Sequence, residues 1–210
     1  MARKICSEHG GGNPLCGILF IISGPSGVGK NTVAERLLGE IGSENLKKII
    51  TTTTRHPRIF EKNGTDYNFI SGTEFAEKVR RSEFLEYANV HGDAYYGSPR
   101  SAVEKILFSG ANALLVVDTS GVVQILSQKH DFKIVTIFIA PKSLSDLRQR
   151  IVARGTETEV TIARRMQTAE HELKMAQIYN YAVTSGSCEE DFLAILKIYN
   201  REIRNDLPGG

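Results

Sequence analysis

The first strong signal along the chain is an unbroken apolar run, Gly17-Ile18-Leu19-Phe20-Ile21-Ile22. With no polar alternation, it predicts a strand buried on both faces, as in a parallel sheet. After a glycine-rich turn the period changes. Val33, Leu37 and Ile41 recur every four residues, with Ala34 and Leu38 beside them, which predicts a helix over 32–41 that Gly42 stops. Residues from about 49 to 100 follow neither period. Threonines, aromatics and short turns at Asn63-Gly64, Ser71-Gly72 and His91-Gly92-Asp93 predict a small mixed insertion with short strands. Thr73 is the expected cap of a short helix running to Arg81.

Alternation then resumes. The pattern predicts helices over 98–109 and 122–129 and strands over 113–117 and 134–139. Charged helices over 144–154 and 160–179 meet at a Gly155-Thr156-Glu157 corner. A strand over 182–184 and a helix over 189–204 complete the chain. Strands alternating with helices predict an α/β fold, a mainly parallel sheet flanked by helices.

Composition narrows the class without naming a function. The 210 residues are 41% apolar and 24% charged, ordinary for a soluble globular protein and unlike a disordered one. Lysine and arginine total 26 against 24 acids, a net charge of +2, so bulk charge points to neither nucleic acid nor membrane. No apolar run approaches the roughly 18 residues of a membrane span. Cys6, Cys16 and Cys188 are odd in number and lack CxxC spacing, suggesting neither a disulfide framework nor a zinc site. Residues 1–16 contain Gly10-Gly11-Gly12 and no long apolar centre, so they read as a flexible leader, not a signal peptide. A cytoplasmic protein, monomeric or weakly dimeric, is expected.

Chemistry first appears between the first strand and the first helix. Gly24-Pro25-Ser26-Gly27-Val28-Gly29-Lys30 is the GxxxxGK pattern in its informative context. Glycines let the backbone curl so that successive N–H groups face one anion, and the helix N-terminus adds positive potential. Lys30 reaches the outer phosphates of a nucleotide. The pattern calls for a hydroxyl next, and this chain has Asn31, with Thr32 one place late. An amide oxygen is still a hard-cation ligand, directly or through water.

The insertion carries Thr51-Thr52-Thr53-Thr54-Arg55-His56-Pro57-Arg58 and then Asn63-Gly64-Thr65-Asp66-Tyr67-Asn68-Phe69. Further along stand Glu83-Phe84-Leu85-Glu86-Tyr87, Tyr95-Tyr96-Gly97-Ser98 and Arg154-Gly155-Thr156-Glu157-Thr158-Glu159. In order and spacing this series, from about Gly17 to Tyr199, resembles the guanylate kinases. The resemblance implies a P-loop NTPase-type core (17–48 and 99–210), a GMP-binding insertion (about 49–98) and a helical lid (about 142–168). It implies transfer of phosphate from ATP to GMP, and to dGMP, with Mg²⁺.

Site roles follow from the same resemblance. Arg55 and Arg58 hold the GMP phosphate, with Tyr67 and Tyr96 donating hydroxyl hydrogen bonds; Thr51, Glu86 and Asp118 read the base, and Ser98 also lies at the acceptor site. Guanine offers N1–H and a 2-amino group side by side, and one carboxylate accepts both. A buried site built on that pairing discriminates by on the order of 10⁴, because adenine leaves its charge unpaired. Residues Gly24 to Thr32 cradle the donor phosphates. Lys30, Arg154 and Arg165 surround the transferring group; Arg148 and Arg150 read as a solvated helix face.

Three positions depart from the family pattern. Asn31 replaces a hydroxyl, Val116 replaces the first aspartate of Asp-x-Asp-x-x-Gly, and Ser185-Gly186 replaces an Asn-Asp pair at the donor base. Two rival readings arise from the sequence. One is a binding module that keeps the acceptor surface with weakened catalysis, favoured by Asn31 and Val116 and opposed by the intact Gly-x-Gly-Lys. The other is a P-loop kinase of another monophosphate, opposed by Glu86.

Overall fold

The computed structural model describes residues 17–90, 94–153 and 158–206. The leader at 1–16, the turn at 91–93 and Arg154 with its Gly-Thr-Glu corner lie outside them. Two compact units emerge. Of the described residues, one takes in those up to Leu19 and those within Glu44–Leu115 and Ser120–Lys133; the other takes in Phe20–Ser43, Val116–Thr119 and those from Ile134 on.

A five-stranded sheet has the order β2-β7-β1-β8-β9, from β1 (Ile18–Ser23), β2 (Leu46–Lys48), β7 (Asn112–Val116), β8 (Lys133–Ala140) and β9 (Tyr181–Thr184). β2 runs parallel to β7, and β8 runs parallel to β9. All six residues of β1 are buried, as its unbroken apolar run predicts. β2 escaped the sequence reading because only Leu46 is buried while Lys47 and Lys48 face water.

The insertion forms its own four-stranded sheet, β4-β3-β6-β5: β3 (Thr52–Thr53), β4 (Asn68–Phe69), β5 (Phe84–Val90) and β6 (Ala94–Pro99). β6 pairs antiparallel with both β3 and β5, setting Glu86 opposite Ser98. Gly97 is required there: a Cβ at this position meets the Phe84 ring at 2.9 Å.

The helices are α1 (Lys30–Ile41), α2 (Gly72–Arg80), α3 (Arg100–Phe108), α4 (Thr119–Leu126), α5 (Leu144–Ala153), α6 (Glu159–Lys174) and α7 (Cys188–Asn205). Several bounds correct the sequence reading. α1 begins at Lys30, two residues early, because left-handed Gly29 feeds the chain straight into it. Ser71, not Thr73, caps α2, its side chain accepting from the Glu74 N–H. Ser98 and Pro99 belong to β6, so α3 starts at Arg100. α4 begins at Thr119 and ends at Leu126. α6 stops at Lys174, and a 3₁₀ turn, Ala176–Ile178, delivers Tyr179 to the interior.

Candidate active site

The donor loop lies in the second unit. Gly24, Gly27 and Gly29 have φ of 140°, 95° and 104°, backbone that side-chain-bearing residues rarely adopt. Gly24 also passes so close to β8 that an added Cβ meets the Ile139 carbonyl oxygen at 2.3 Å. The curl is tied from within: Lys30 Nζ donates to the carbonyls of Gly24 at 2.6 Å and Pro25 at 3.0 Å. Val28 is buried as the loop's apolar anchor, while Ser26, Asn31 and Thr32 face solvent. Arg165, from α6, donates to Ser26 Oγ at 2.7 Å. Lys30 and Arg165 are therefore brought to one loop.

A buried carboxylate missed by the sequence reading feels the charge of Lys30. Glu172 of α6 is 8% exposed and accepts hydrogen bonds from the backbone and hydroxyl of Thr119. Burial raises its pKa, the charge of Lys30 lowers it and that of Asp118 raises it again. The Tyr179 hydroxyl lies 3.0 Å from Ser23 Oγ and 3.2 Å from Thr119 Oγ1. The end of β1, the start of α4 and α6 thus share one polar cluster, and exposed Asp118 is placed at its edge. No periodicity reveals such a residue, because glutamate in a charged helix reads as solvated.

Among the described residues, no group of three His, Cys, Asp or Glu side chains is arranged to hold a metal ion. The loop offers the exposed side-chain oxygens of Ser26, Asn31 and Thr32, and the charges of Lys30 and Asp118 act on the Glu172 carboxylate. That set suits magnesium, which keeps its waters and leans on nucleotide phosphates.

The residues predicted to hold the acceptor, Asp118 apart, lie in the first unit. Glu86 is 5% exposed, Ser98 is fully buried, and Ser98 Oγ donates to Glu86 Oε1 at 2.5 Å. One carboxylate oxygen is oriented by this short charge-assisted bond. Gln124 clamps the next residue, accepting the Tyr87 N–H at 3.2 Å and donating to its carbonyl at 2.9 Å. Gln128 donates to the Leu85 carbonyl at 2.7 Å. Two side chains from α4 and the segment after it thus fix the strand on either side of Glu86, a second feature sequence reasoning missed. Thr51 precedes β3, its carbonyl accepting the Asn68 N–H at 2.9 Å.

Around Arg55 the predicted phosphate residues converge. Its Nε donates to Tyr96 Oη at 3.1 Å, and its guanidinium lies 5.5 Å from the Tyr67 ring centre. Tyr67 and Tyr96 meet edge to face at 5.8 Å. Nη2 donates to Glu61 Oε1 at 2.8 Å, and this pairing, with the Arg58 N–H, holds the Glu61 carboxyl below its ordinary pKa. Burial raises the Tyr67 pKa, keeping its phenol protonated. Arg58 is exposed.

Of the three departures, the Ser185-Gly186 pair has a local explanation. Ser185 is fully buried, donates to Asp191 at 2.8 Å and accepts from Arg150 at 3.0 Å. Arg150 also donates to the Gly186 carbonyl and pairs with Asp146, so it is a half-buried tie and not a solvated face. Arg148 is exposed and pairs with Glu159 at 2.9 Å. Val116 is half-buried at the end of β7.

The parallel-stranded core thus carries a glycine loop feeding a helix, and the small second sheet carries a buried carboxylate with an arginine–tyrosine cluster beside it. Residues 17–201 match the guanylate kinase family model. The chain is 40% identical over 174 residues to a guanylate kinase of Clostridium perfringens (strain 13 / Type A), spanning 83% of this chain and 78% of that one. It is 41% identical over 181 residues to one from Rickettsia typhi, covering 86% and 87% respectively. The crystal structure of guanylate kinase from Anaplasma phagocytophilum superposes with a TM-score of 0.70 at 31% identity, covering 89% of this chain and 86% of that one. The chain belongs to the guanylate kinase family.

Proposed function

We infer that this chain catalyses phosphoryl transfer from ATP to GMP, giving ADP and GDP, and accepts dGMP as well. The observation that carries the choice of base is the buried Glu86 carboxylate, aligned by Ser98 and braced by Gln124 and Gln128. It presents acceptor oxygens where guanine presents two adjacent donors. Adenine would leave that carboxylate desolvated and unmatched. Asp118 and Thr51 are assigned to the same base, and Arg55, Arg58, Tyr67 and Tyr96 to the acceptor phosphate.

The acceptor phosphate is already an anionic nucleophile, so no general base is needed. One of its oxygens bonds to the γ-phosphorus as the bond to the β–γ bridging oxygen breaks, and ADP leaves. Catalysis is then positioning and charge compensation. Backbone N–H groups of the 24–32 loop cradle the donor phosphates. Lys30 releases the Gly24 and Pro25 carbonyls to meet the outer phosphates, and Arg165 approaches from Ser26. Arg154 is assigned to the same transferring group by its place in the sequence. Asn31 would hold a nucleotide-borne magnesium ion directly or through water, and the ion would supply further charge neutralisation at the phosphate oxygens.

The test is coupled ADP formation with GMP, dGMP, AMP, CMP and UMP, in the wild type and in Glu86→Gln. Efficient turnover is expected with GMP and dGMP alone, and Glu86→Gln should cut the GMP-over-AMP preference roughly 10- to 100-fold. Unchanged preference in the variant would remove Glu86 from base selection. An absence of wild-type turnover with every acceptor, despite measurable GMP binding, would favour the binding-module reading.

A further inference from the structure

The segment from Arg55 to Glu61 carries both arginines assigned to the acceptor phosphate, yet its apolar side chains bury almost nothing. Ile59 and Phe60 are 93% and 92% exposed. A loop without an apolar anchor takes its shape from polar ties, and here they converge on Glu61. Its backbone N–H donates to the Arg58 carbonyl at 3.0 Å, while its Oε2 accepts the Arg58 N–H at 2.8 Å. Those two bonds close the turn from both ends. Its Oε1 accepts from Arg55 Nη2 at 2.8 Å, and the Tyr96 hydroxyl and His56 carbonyl take Nε and Nη1. The plane of the Arg55 fork is thereby fixed.

We propose that Glu61 is a positioning residue for the acceptor phosphate, holding the Arg55 fork and the Arg58 turn in one geometry before a phosphomonoester arrives. This rests on the reading of Arg55 and Arg58 as the GMP phosphate clamp. Glu61 takes the backbone N–H of Arg58 and one Nη2 donor of Arg55, so a single carboxylate ties both halves of the clamp, and the Arg58 charge also acts on it. Among the described residues, Tyr96, His56 and Glu61 engage three of the five Arg55 N–H donors, so the fork has donors left for phosphate. Preset cations bind an anion with less ordering cost than two free side chains.

Glu61→Gln and Glu61→Ala in the full chain test the assignment. Glutamine has one carbonyl oxygen, which serves Arg55 or Arg58 but not both. At saturating ATP, KM for GMP should rise roughly tenfold in Glu61→Gln and further in Glu61→Ala, with kcat changed by less than about threefold. KM for ATP and the affinity for guanosine, which lacks the phosphate, should stay at wild-type values. An unchanged KM for GMP would overturn the proposal, and a lowered one would show instead that the carboxylate competes with phosphate. Loss of guanosine affinity alongside GMP would also overturn it, since the defect would then be general. A wild type that fails to phosphorylate GMP defeats the functional reading itself, an outcome distinct from variants that match an active wild type.

Discussion

At Glu172 a carboxylate lies buried between Thr119, Lys30 and Asp118, and desolvation is the largest influence on its titration. Its folded pKa is raised, so the native state holds this proton more tightly than the unfolded chain does. Stability therefore falls as pH climbs from the ordinary carboxylate range through the raised value, as the cost of the buried charge appears. Glu172→Gln, which keeps an oxygen acceptor for Thr119 but does not titrate, should gain stability relative to the wild type between about pH 4 and pH 7. Denaturant melts of both proteins at the two ends check this; a constant difference would mean that Glu172 does not titrate on folding. Neither Glu172 nor Glu61 was legible as a special residue in the sequence. Each gains its meaning from partners that local spacing does not display. Glu86, by contrast, was singled out because the motifs around it fall in register, and it proves to be buried against Ser98.

Among the elements, those built on a strong period were the easiest to read. β1 is a continuous apolar run, and α1 carries its buried Val33, Ala34 and Leu37 on one stripe. Short strands such as β3 and β4, two residues each, have no room to express alternation, and only their turn chemistry betrays them. Helix starts were misplaced where a cap and the apolar period disagree: Ser71 precedes the first buried residue of α2, Phe75, by four positions. In the phosphate loop, conformation and space agree on glycine. Gly24→Ala forces a side chain into φ of 140° and against the Ile139 carbonyl. Strain of about 1–3 kcal/mol is expected from the backbone alone, lowering Tm by roughly 3–10 °C. ATP affinity should drop in parallel, at least about tenfold, because the loop cannot keep its curl. Thermal melts and ATP titration read both effects; an unshifted Tm with full ATP affinity would show that the loop tolerates a different path.

For the molecule as a whole, a formal charge of +2 conceals a deliberate distribution. Cations are placed where phosphates are proposed, with Arg55 and Arg58 in one unit and Lys30 and Arg165 in the other. The Glu86 and Glu61 carboxylates of the first unit are held by Ser98 and by Arg55. The parallel core and a small second sheet were legible from alternation and its interruption, while the partition of the candidate residues between two units was not, because it depends on long-range packing. Among the described residues no helix is long and apolar enough to cross a membrane. The central claim, guanine-directed phosphoryl transfer by this chain, is tested most directly by following label from [γ-³²P]ATP into GMP and, in parallel, into AMP. Label is expected in the β-phosphate of GDP, with transfer to AMP slower by on the order of 10³ or more. Release of label only as inorganic phosphate, or transfer to AMP at a comparable rate, would contradict the account.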